Sequence, residues 1–171
     1  MIMRSLVPLL RSQNGAAGAE MALVMPLLIT VMFGAFEMGN YFWSEHQVIK
    51  SVRDAARFAS RQSAFYSPTT CNPGLVTGTP APDIDKIARY GKLSVTVSDK
   101  PKIYGWTTPV TVTLLCPAIG TYSGIYQGKT AVPVVEVAAT AVPYTSLFKV
   151  LGFTSNTPTL SASSQSAVTG I

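Results

Sequence analysis

The first quarter of the chain contains a single apolar block, and a helical alternation follows it. Residues Met21 to Phe36 read MALVMPLLITVMFGAF and carry no charge. As a helix they cover about 24 Å, short of the roughly 30 Å hydrocarbon core of a bilayer. Extending the helix from Glu20 to Tyr41 reaches about 31 Å. Tyr41, Phe42 and Trp43 then stand where an interfacial aromatic belt belongs. The pattern predicts a transmembrane helix over 16–43, kinked at Pro26, with Ala35 and Gly39 as a weak small-residue contact.

Past the aromatic belt the helix is expected to continue as an amphipathic stalk over 44–66. At about 100° per residue, Tyr41, Val48, Val52, Ala55 and Ala59 fall in one narrow arc, a heptad-like seam interrupted by Glu45. Its small residues permit close approach of a partner helix or sheet. Lys50, Arg53, Arg57 and Arg61, with His46, fall on the opposite side. The whole helix, from Ala19 to Gln62, would be about 66 Å long. The basic stripe has two readings. One is a solvated face; the other is a contact for lipid headgroups or acidic partner helices, at roughly 1 kcal/mol per residue near an anionic surface.

The rest, 67–171, alternates with period two and predicts a β-rich head. Ser67 to Pro82, rich in proline, reads as an irregular loop. Asp83 to Tyr90 predicts a short helix stopped by Gly91, with Asp83 and Asp85 favouring its start. Strands are expected at Leu93–Val95–Val97, at Val110–Val112–Leu114, at Val135–Val137–Ala139–Ala141 and, as a weakly apolar edge, at Leu160 to Val168. Four strands against one amphipathic helix make an α+β fold, a long helix packed on a small antiparallel sheet. Such a sheet needs the helix, because its own core is marginal. Cys71, in the loop, and Cys116, ending the second strand, are expected to form a disulfide; the alternative is two separate buried thiols. A bridge points to an oxidising compartment such as the bacterial periplasm.

Composition narrows the function classes. Charged residues make up 12%, about half of the usual 25% or so, which with the apolar content excludes a disordered chain. The formal charge of +5 hints at an anionic partner, but no basic strand is interleaved with base-stacking aromatics, so nucleic acid is not an expected partner. One histidine and two cysteines cannot build a common structural zinc site. Neither a glycine-rich phosphate loop nor a G-x-S-x-G elbow is present. The chain reads as a non-enzyme without metal or cofactor.

Two acids flank the apolar block, where ionisation is penalised. Glu37 reads as snorkelling to headgroups. Glu20 lies five residues after Gly15, behind a short basic leader (1–15) that carries Arg4 and Arg11. No small-x-small site follows the apolar core closely, so release at a conventional signal-peptide site is the weaker option. A glycine, four residues, a glutamate and an apolar helix resemble a class III prepilin, which a membrane peptidase cuts after the glycine. Cleavage would leave a new amine on Ala16 near Glu20. In a helix bundle, a carboxylate facing a neighbour's amine fixes the register, because leaving either charge unpaired costs on the order of 3–5 kcal/mol.

The run from Gly15 to Leu28, then Phe36-Glu37-Met38-Gly39 and Val52 to Ala59, resembles the TadE-like family of minor pseudopilins of the tight-adherence (Tad/Flp) pilus. The stretches Val134–Val142, Leu147–Gly152 and Leu160–Val168 are similar to that family's closing strand, short helix and strand. Met21 stands where processed members tend to carry an aromatic. The resemblance implies a pilin-like fold and a bacterial single-pass inner-membrane protein, acting in assembly or initiation of an adhesive pilus. It also implies partners: pilin-like subunits, pilus assembly proteins, membrane lipid and a prepilin peptidase. Positive-inside counting, with two arginines before the span and four basic residues after it, opposes an exported head. The cysteines, the aromatic belt and a cytoplasmic leader favour one, so the head is read as periplasmic and the N-terminus as cytoplasmic. The rival reading is an uncleaved, membrane-tethered periplasmic module whose head binds or adheres.

Overall fold

The computed structural model describes residues 14–66, 71–117, 124–128, 131–150, 152 and 158–169. The leader with Arg4 and Arg11 therefore lies outside the described residues except for its last two positions. Helix α1 runs Asn14–Ser60. It passes through Pro26, whose carbonyl accepts the Thr30 hydroxyl at 2.8 Å. The chain divides into two compact units, the first ending at Gly39 and the second beginning at Asn40.

In the first unit the apolar side chains of α1 are exposed: Leu23 at 81%, Leu28 at 57% and Ile29 at 47% point to different sides of the helix. A helix apolar all round has no solvated face, and this one is long and apolar enough to cross a membrane.

The second unit is α+β. Its part of α1 buries Val48, Val52, Ala55 and Ala59, as the seam predicts, with Tyr41 half-buried. Ser51 and Ala56 are buried too, so the packed face is wider than the seam. These residues share one core with Val112 and Leu114 of β2 (Thr111–Leu115), Val135, Val137, Ala139 and Val142 of β3 (Val134–Pro143), and Leu160 of β4 (Thr159–Ala167). Helix α2 (Ala81–Tyr90) adds Ile84 and Ala88, and Trp106 is the largest fully buried side chain. A four-turn helix segment so rich in alanine and valine lets the sheet come close, which is how a small sheet obtains a closed core.

The sheet is antiparallel with order β1-β2-β3-β4, so β4 is an edge, as expected. Its fourth member is not the expected strand at 93–98 but β1, Gly74–Leu75, inside the segment read as loop. Residues 93–98 form no strand. The Asp99 carboxylate accepts the Thr96 amide at 2.8 Å and the Thr96 hydroxyl at 3.0 Å, and the Asp99 amide returns to the Thr96 carbonyl at 3.0 Å. Lys92 closes the segment by an ion pair to Asp99 at 2.6 Å. Local side-chain bonds of this kind outcompete a ladder, and Val97 is left fully exposed.

Strand β3 carries a second departure. Ala141 was expected to continue the buried set Val135, Val137, Ala139, yet it is exposed and Val142 is buried instead. Between Ala139↔Ala162 and Val142↔Leu160 the register shifts, with two β3 residues opposing one of β4. One extra residue exchanges the faces of everything after it. Ala141 sits at φ 55, a left-handed conformation that alanine disfavours.

Helix α2 ends at Gly91, as expected: its φ is 75 and its amide bonds to the Ile87 carbonyl at 3.0 Å. Asp83 lies in the first turn and pairs with Lys86 at 2.9 Å. Asp85 does something else. Its carboxylate is buried, receives the Arg89 guanidinium and accepts the Val110 amide at 3.0 Å, which ties α2 to the start of β2. Cys71 and Cys116 form a disulfide beside the β1–β2 pair. The last helix, α3 (Leu147–Val150), starts where the Ser146 hydroxyl accepts the Phe148 amide at 3.1 Å.

Candidate functional site

The residues singled out for assembly fall on α1. Gly15 and Glu20 stand in its first turns, both exposed, and Ala16 lies between them. Glu20 is at the boundary of the apolar block, where an exposed carboxylate meets side chains with no protein covering them. Glu37, near the other boundary, is half-buried and has interaction partners.

The basic residues are brought together as the helical period predicts. Lys50, Arg53 and Arg57 are exposed on one side of α1, Arg61 follows in the turn beyond it, and His46 is exposed on the same stretch. Among the described residues none of the four basic side chains forms a salt bridge. Among the described residues these four cations are therefore held by no carboxylate at ion-pair distance. Close to this face, burial pushes the Lys102 amine below its usual range; Asp54 opposes the shift and Lys50 adds to it. Lys102 reaches the Ile87 carbonyl at 3.4 Å, so this cation belongs to the C-terminal end of α2 and not to the stripe.

Several residues that hold the α1 segment of the second unit in place were not visible in the sequence. The Asn40 side-chain amide donates to the Tyr144 hydroxyl at 2.9 Å and to the Thr145 carbonyl at 3.2 Å. Tyr41 packs edge-on against the Tyr144 ring at 5.4 Å between centroids. At the other end, the Ser60 carbonyl accepts the Thr169 amide at 2.9 Å, and Tyr126 donates to the adjacent Val168 carbonyl at 2.9 Å. Burial raises the Tyr126 hydroxyl above its usual range, which keeps that donor protonated. These contacts lie up to 109 positions apart in the chain, and no local spacing announces them.

A helix long and apolar enough to cross a membrane thus leads into a disulfide-linked α+β unit. Comparison with protein families matches residues 15–57 to TadE, the TadE-like protein family. The match covers the apolar block and the seam as far as Ala55 and ends before the sheet, so the closing strand, helix and strand rest on their own geometry: 134–143, 147–150 and 159–167. No curated protein and no solved structure matches the chain. The TadE-like segment and its apolar helix fit a membrane-anchored protein associated with the Tad pilus.

Proposed function

We propose that this chain is a minor pseudopilin of a Tad/Flp-type pilus. It acts in assembly or initiation of the fibre, anchored in the bacterial inner membrane with its head in the periplasm. The observation that carries the reading is the exposure of the whole apolar block of α1 within the TadE-like segment. Lipid before assembly and neighbouring pilin-like helices after it would cover that surface.

In this reading a prepilin peptidase cuts between Gly15 and Ala16. The new Ala16 amine of one subunit then pairs with Glu20 of the next, and the low dielectric makes register errors costly. The boundaries follow: a leader over 1–15, a membrane segment over 16–43, a stalk over 44–66 and an exported head over 67–171. The disulfide supports an oxidising compartment for the head. Lys50, Arg53, Arg57 and Arg61, in no salt bridge among the described residues, are the face offered to an acidic partner helix.

Intact-mass measurement of the mature protein tests the reading. A chain beginning at Ala16 supports it. A chain retaining its leader and its anchor favours the uncleaved tethered module, and a soluble product lacking the apolar block overturns both.

A further inference from the structure

We infer that one end of the head is itself a membrane-contacting surface, seated in the lipid headgroup layer. The inference rests on the proposed reading of the first part of α1 as a membrane span. Asn40, the first residue of the second unit, lies in the last turn of the proposed membrane segment, 16–43. Counting along α1, the stretch from Asn40 to Ser44 rises about 6 Å, within the headgroup layer of roughly 5–8 Å on each side of the core.

At this level the head presents the side chains that such a layer selects. Asn40, Trp43 and Ser44 line a groove of ≈ 170 Å³ together with Tyr104 and Thr145. Trp43 is 67% exposed and Tyr104 81%, a large aromatic surface left uncovered. The adjoining α3 adds Leu147, 43% exposed, and the exposed Lys149. The groove lining contains no carboxylate. Amphipathic aromatics, an aliphatic side chain and a lysine without acids form the composition of an interfacial belt. Here residues from two later segments, around Tyr104 and around Thr145, complete the belt that Tyr41 to Trp43 begin on the helix. The Asn40 bonds to Tyr144 and Thr145 hold α3 at that level.

The opposite end supplies the control. Ile125, 58% exposed, neighbours Tyr126, which bonds to Val168 next to the Thr169–Ser60 contact. Ser60 is about 30 Å along the helix from Asn40. Both native cysteines are joined in the disulfide, so single added cysteines can carry spin labels. The full chain would be reconstituted in discs of phosphatidylethanolamine and phosphatidylglycerol, with labels at Tyr104→Cys, Leu147→Cys, Ile125→Cys and Phe33→Cys. Collision rates with oxygen and with a water-soluble nickel chelate report the depth of each.

The expected result is a several-fold higher oxygen-to-nickel ratio at positions 104 and 147 than at 125, with position 33 deepest. If 104 and 147 behave like 125 while 33 is deep, the head contact is overturned and the anchor stands. A shallow label at 33 overturns both. Spin–spin broadening at 104 and 147 that grows with the number of chains per disc assigns the face to a second copy and overturns the lipid reading.

Discussion

Asn40 and Tyr144 are 104 positions apart, yet the Asn40 amide donates to the Tyr144 hydroxyl at 2.9 Å. The bond joins the first residue of the second unit to the segment leaving β3, and the Tyr41 ring packs on the same tyrosine. Two different interactions therefore meet on one side chain that is 2% exposed. Tyr144→Phe removes the hydroxyl and keeps the ring, and is expected to cost about 1 kcal/mol. Tyr144→Ala removes both, at about 3–5 kcal/mol. Denaturant unfolding of the detergent-solubilised chain separates the two; equal losses would show that the hydroxyl contributes most of the effect.

The bulge in β3 carries strain at one identifiable residue. Ala141 at φ 55 is in the region where a side chain crowds the following carbonyl. Ala141→Gly is expected to stabilise the head by roughly 0.5–1 kcal/mol, because relief of that crowding exceeds the added freedom of the unfolded chain. A higher unfolding midpoint at unchanged slope is the expected readout.

Acid should loosen the turn that replaced a strand. The hydrogen bond from Lys92, followed by those from the Thr96 backbone and side chain, lowers the Asp99 carboxyl from 3.8 to about 2. A carboxyl depressed on folding adds stability that is full above its unfolded value and is lost as pH falls through its folded one. The Asp99 contribution is therefore expected to be complete above pH 4 or so, to fade below that, and to vanish below pH 2 or so. Amide exchange at Thr96, compared between the parent chain and Asp99→Asn, checks this: the substitution should remove the acid dependence. Raised salt should weaken the effect, since the Lys92 partner is half-exposed.

The disulfide holds the weakest strand. Cys71 precedes β1, and Cys116 follows β2 directly. Replacing both cysteines by serine is expected to cost about 2–4 kcal/mol. The loss should appear first as faster exchange of the Val76 amide, which bonds to the Val112 carbonyl at 2.9 Å. A local opening confined to β1 would leave exchange in β3 unchanged.

What could be read from the chain alone follows the range of the forces. The seam Val48, Val52, Ala55, Ala59 and the alternation Val135, Val137, Ala139 are periodic, and periodicity is a local record of burial. The Gly91 stop and the Cys71–Cys116 bridge were legible because each residue type has few structural uses. Leu93, Val95 and Val97 alternate just as well, but Asp99 offers Thr96 a nearer partner than any strand does. Conversely β1 is only two residues long. Its pairing comes from the β2 edge, so Gly74 and Leu75 carry no pattern of their own.

The candidate site divides the same way. The helical period alone puts Lys50, Arg53 and Arg57 on one exposed face, and the apolar run alone marks the anchor. The groove around Trp43 and Tyr104 depends on loops that meet only in the folded head. Asp85 was read as a helix-start charge because Val110, the amide it accepts, lies 25 positions away.

The central claim is that the exposed apolar segment of α1 lies in the membrane and packs beside other pilin-like helices. Photocrosslinking from a reactive residue replacing Leu23, which is 81% exposed, in cells that carry the pilus machinery tests it most directly. The account predicts adducts with pilin-like subunits in the membrane fraction, weakened when Glu20 is replaced by glutamine. Recovery of the chain from the soluble fraction, or adducts with lipid alone while pili are being assembled, would contradict it.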